Sequence, residues 1–148
     1  MPITDEHVAV LRAQLTGKHQ EYLSLMDQLD PNEANKYYTA LVAAAFIEAA
    51  EHHFIKDGEV ADESRVIDFV AQVRERSDDS SNLINPQLAE SMLLDLLGQG
   101  TMIDADPDTK FGHQIVMLSA MAGERQFTPT ELEAFLQSVR SLAEELLK

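Results

Sequence analysis

Residues 36–55, KYYTALVAAAFIEAAEHHFI, carry apolar or small side chains on nearly every side of a helical wheel. A helix at the surface of a globular protein keeps one apolar stripe and a polar back, so a helix apolar all round has to be wrapped by neighbours. The stretch is therefore expected to form the central helix of an all-α bundle, spanning residues 31–55. Its start is marked by Asp30-Pro31-Asn32-Glu33: an Asp cap, proline at the first helical position and an acid at the third. Its end is marked by Asp57-Gly58, which is turn chemistry.

The flanking segments read as further amphipathic helices. Thr4, followed by Asp5 and Glu6, caps a first helix whose Val8, Leu11, Leu15, Tyr22, Leu25 and Leu29 recur at helical spacing. Gly17 lies inside that run, but the apolar register stays in phase across it. One continuous helix over residues 5–29 is expected, with a break at Thr16–Gly17 as the alternative. Asp62 caps a third helix with Val66, Ile67, Phe69, Val70 and Val73 on one stripe. The polar segment 77–82 reads as a loop. Asn85-Pro86 opens a fourth helix (Leu88, Met92, Leu93, Leu96, Leu97) that Gly98 stops, and Asp106-Pro107 opens a fifth that Gly123 is expected to end. Thr128-Pro129-Thr130-Glu131 is a capping box for a sixth, with Leu132, Phe135, Val139, Leu142 and Leu146 on its seam. No segment alternates as a strand does. At 148 residues, about six helices in a single all-α domain, 1–148, are expected.

Composition narrows the function classes. The chain has 11 basic and 26 acidic residues, a net charge of −15, with no basic cluster. Nucleic-acid and anionic-membrane binding need clustered lysine and arginine, so neither partner is expected. The absence of cysteine removes disulfides, thiolate metal sites and cysteine nucleophiles, and suits a reducing compartment. The opening MPITDEHVAV has neither a basic nor a long apolar region, so no signal peptide is expected, and no stretch is long and apolar enough for a membrane span. A cytoplasmic location is the resulting expectation.

One dense group of metal-competent side chains occurs: Glu48, Glu51, His52 and His53. Glu48 and His52, four apart, share a helix face. Di-iron bundles use Glu-x-x-His on two helices, whereas here Glu51 stands where that histidine belongs and no second motif exists. A structural role for the four is the simpler reading, because histidines in a last turn complement the helix dipole. Asp104, Asp106 and Asp108 alternate like the opening of a calcium loop. Thr109 and Ile115 occupy the positions where that loop needs Gly and Glu. His7, His19 and His113 are isolated and read as surface or capping residues, and Met92, Met117 and Met121 as core fillers.

No intact catalytic motif is found, so the reading leans away from an enzyme and expects no cofactor. The expected function is a non-enzymatic acidic helical protein that binds another protein, either a second copy as a homodimer or a basic partner. The alternative is a bundle that binds a divalent metal or small ligand through Glu48 and His52.

Overall fold

The computed structural model describes residues 3–76 and 84–148, and they form an all-α bundle with almost no strand. Seven helices follow in order: α1 (Asp5–Leu15), α2 (His19–Gln28), α3 (Pro31–Phe54), α4 (Glu63–Arg76), α5 (Pro86–Leu96), α6 (Pro107–Arg125) and α7 (Pro129–Leu146). The expected loop at residues 77–82 lies outside the described residues.

The described chain comprises two compact units. The first holds residues up to Glu48 and from Ala122 onward; the second holds Ala49–Met121. In the first unit the core is made by Val8, Val10 and Leu11 of α1, Tyr38, Leu41, Val42 and Ala45 of α3, and Leu132, Phe135, Leu136 and Val139 of α7. In the second, Phe54 sits with Val66, Phe69 and Val70 of α4, Leu88, Met92 and Leu93 of α5, and Met117, Leu118 and Met121 of α6. The three methionines are core fillers as expected. Along α3, Leu41, Val42, Ala44, Ala45 and Ala50 are completely enclosed, and Phe46 and Ala49 nearly so. Burial covers most of the helix in its middle, while the side carrying Lys36, Thr39, Ala43, Ile47 and Glu51 stays half-buried or exposed.

The cap residues act as their chemistry dictates. Asp30 Oδ1 accepts from the Asn32 and Glu33 amides, Asn85 Oδ1 from the Leu88 amide and Asp106 Oδ1 from the Thr109 amide. Thr128 and Glu131 close the reciprocal capping box of α7, at 3.1 Å and 3.0 Å. These bonds to the ionised form hold the Asp106 and Glu131 carboxyls below their ordinary range, chiefly through the Thr109 and Thr128 backbone amides.

Three expectations need correction. The 5–29 segment is two helices, because Gly17 adopts φ +73° and closes a Schellman motif: Gly17 N–H donates to Gln14 O at 3.2 Å and Lys18 N–H to Ala13 O at 2.9 Å. The apolar spacing continues across the glycine although the chain turns there and α2 folds back on α1. Gly123 does not end its helix. It stays helical, and α6 runs on to Arg125, where Gln126 takes the positive φ of +49°. Residues 55–60, with no alternation to announce them, form a two-residue hairpin, Ile55–Lys56 paired with Glu59–Val60. Asp57 and Gly58 both take positive φ, as its tight turn requires.

Gly98 repeats the Gly17 solution at the end of α5, with φ +75° and bonds from Gly98 N–H to Asp95 O and Gln99 N–H to Leu94 O. A Cβ at either glycine would meet nothing within 4 Å, so only backbone strain opposes a side chain there. Gly17→Ala and Gly98→Ala are each expected to destabilise by about 1–2 kcal/mol, the left-handed penalty for a non-glycine residue. Urea unfolding of the two variants measures it, and unchanged midpoints would show that the two turns bear no such strain.

Candidate functional site

The four sidechains proposed from sequence as a metal site lie in a single run of α3, but in different surroundings. Glu48 is half-buried and lines a groove of about 540 Å³ whose other wall is α7, with Gln137, Ser138, Ser141, Leu142 and Glu145. Just ahead of and within the start of α7 a cation packs on two aromatic rings. There Arg125 lies over the Phe127 ring, 4.3 Å from its centre, and 5.5 Å from that of Phe135. Burial lowers the affinity of the Arg125 guanidinium for its proton, while Glu131 and Glu48 work against that shift. Glu48 thus has a cationic neighbour in its own unit.

Glu51 and His52 are exposed. His53 is half-buried between aromatic rings, 4.6 Å from Phe54 edge-on and 5.0 Å from Phe69, and these two phenylalanines meet at 5.5 Å and 90°. Its surroundings are those of a packed ring at a helix end. Among the described residues no three His, Asp or Glu side chains converge closely enough to hold a metal ion.

A second groove, of about 310 Å³, runs between α1 and α7 over Val8 and Leu136. Its rim is stapled by two ion pairs. Arg12 makes a two-pronged bond to Glu133, Nε to Oε2 at 2.7 Å and Nη2 to Oε1 at 2.6 Å. Arg140 reaches Asp5 at 2.7 Å and donates to the Ile3 carbonyl at 2.6 Å. The Arg12 hydrogen bonds pull the Glu133 carboxyl below its ordinary range and raise the guanidinium in return. Both carboxylates are largely exposed, so each pair contributes little more than about 1 kcal/mol. Their work is to fix the register of α1 on α7.

No family model matches this chain, and no curated protein or solved structure matches it.

Sequence reasoning undervalued two histidines. His7 and His113 are buried, at 2% and 7% exposure. His113 Nε2 accepts from the Asn85 amide at 3.0 Å, and its Nδ1 lies 2.8 Å from the Thr109 carbonyl, so a neutral ring protonated at Nδ1 satisfies both. His7 completes the cap of α1: its Nδ1 accepts from the Thr4 amide at 3.0 Å. The spacing Thr4-x-x-His7 is that of a capping box with imidazole in the place of Glu, a signal present in the sequence. His19 is exposed and stacks on Tyr22 at 6.3 Å.

One helix departs from the pattern of the others. No residue of α2 is buried. Tyr22, Leu25, Met26 and the following Leu29 are half-buried, and Leu23 is 49% exposed. Tyr38 of α3, which bonds to Gln14 and lies 6.1 Å from the Tyr22 ring, is buried, and that burial raises its phenol well above the ordinary range.

His113→Phe fills the space but leaves the Asn85 amide without its acceptor. A loss of about 1–3 kcal/mol is expected. Thermal or urea unfolding measures it, and a variant as stable as the parent would show that the Asn85–His113 bond is dispensable.

Proposed function

We propose that the protein acts by binding another protein, and that α2 presents the contact surface. The carrying observation is a ten-residue helix with apolar side chains on one side and no buried residue. Each of the other six described helices has several fully buried apolar residues. Contiguous apolar surface of this kind is a common mark of an interaction site. The seams of α1 and α7 are less suited to the role: Val8, Leu11, Leu132, Phe135 and Val139 are already buried in the first unit, and only Leu146, at 49% exposure, lies open at the end of α7.

The partner is either a basic protein or a second copy of the chain, and charge separates the two. Two chains of net charge −15 repel, so self-association strengthens as salt screens them, whereas a basic partner is released by salt. Glu48 and His52 remain the alternative as a ligand pair. The groove lined by Glu48, Ser138, Ser141 and Glu145 supports it on the Glu48 side alone, and bound metal or a rise in melting temperature with divalent ions would support the pair.

A photo-crosslinking residue at Leu23 tests the α2 reading in cells, with the exposed Gln28, roughly 140° round the helix from it, as control. A discrete adduct, of doubled mass or with one partner, is expected from position 23 alone. Equal labelling from both positions, or none from position 23, would sink the proposal. Leu23→Ser should abolish the adduct formed from a neighbouring Met26 probe while changing stability by no more than about 0.5 kcal/mol, as suits an exposed site.

A further inference from the structure

We propose that the first turn of α1 is a proton-operated latch: a proton on His7 Nδ1 turns the acceptor of the Thr4 amide into a donor and releases the Ile3–Thr4 segment. A capping box normally closes with Glu or Gln, whose oxygen still accepts at mildly acidic pH. Here the closing group is an imidazole. The 3.0 Å bond from the Thr4 amide to Nδ1 exists only while that nitrogen is bare, which places the neutral ring's proton on Nε2. The Thr4 hydroxyl also lies 3.1 Å from Nδ1 and receives the His7 amide at 3.5 Å, so the titratable ring closes one half of the cap and touches the hydroxyl that closes the other. A cation at this position also opposes the positive end of the helix dipole.

The groups around the ring are divided. On α1, Glu6 favours the cation, and the neighbouring Asp5 is engaged by Arg140. On α3, Glu33 favours it, while the Tyr37 ring packs on the imidazole at 5.1 Å with Lys36 over its far reach at 5.5 Å. On α7, Arg140 opposes it. Burial is the largest influence and lowers the pKa from 6.5. The unfolded chain therefore binds the proton first. The latch holds fully above about pH 6.5 and weakens as pH falls from there to the folded-state value. What opening exposes is specific: Ile3 is completely buried, and its carbonyl is held by Arg140 at 2.6 Å.

Nuclear magnetic resonance of the full chain tests the latch in two ways. The nitrogen shifts of His7 at neutral pH should show the proton on Nε2. Amide exchange at Thr4, His7 and Val8, corrected for its intrinsic pH dependence, should lose up to tenfold protection per pH unit below 6.5, while Leu41 in α3 keeps its own. In His7→Gln and His7→Glu, whose oxygens accept at these pH values, protection of the same amides should hold to about pH 5.5. A neutral ring protonated on Nδ1 would overturn the proposal. So would an equal loss in the parent and in both variants, or a loss at Leu41 equal to that at Thr4.

Discussion

A helix with no polar face cannot be left at a surface, and this one requirement organises both units of the chain. Each enclosed position of α3, from Ala34 to Phe54, needs a neighbour that removes it from water. Alanine runs at 43–45 and 49–50 leave room for those neighbours to come close, and Tyr38, Leu41, Val42, Phe46 and Phe54 are the larger buried apolar side chains. The helices that do the covering are ordinary amphipathic ones, each delimited by its own cap. Their capping boxes, Asx caps and glycine ends set the lengths, and the buried stripes set the rotation of each helix about its axis.

The polar chemistry is concentrated where helices begin. Asp30, Asp62, Asn85, Asp106 and Thr128 each satisfy amides that a helix leaves unpaired, and the buried histidines serve the same end. His113 receives the Asn85 amide just ahead of α5, and His7 closes the cap of α1. An imidazole in such a place is a capable acceptor, but one whose capacity depends on pH in the physiological range. Charge on the remaining surface is solvated and mostly negative. The basic side chains Arg12 and Arg140 are committed to carboxylates within the first unit.

The contrast between α2 and α7 shows how topology decides which apolar faces are covered. Both are amphipathic, and α7 has the stronger seam in sequence. In the fold α7 spends that seam on its own core, whereas α2 folds back against α1 and is left with its apolar side chains half in water. Sequence periodicity reports that a face is apolar. Which helix is left with surplus apolar surface depends on how many neighbours the topology gives it.

Local signals in the sequence determined the all-α class, the starts of α3, α4, α5, α6 and α7, and the burial of most of residues 40–50, because caps and helical periodicity act over three or four residues. The same locality explains what was misread. Gly17 and Gly123 are the same residue type, and only the tertiary setting decided that one turns left-handed to fold α2 back while the other stays helical. The surroundings of Glu48, Glu51, His52 and His53 were equally beyond a reading of spacing. Neighbours in sequence share a helix, but whether their side chains meet a groove, a ring or water depends on elements far along the chain, which only packing brings near.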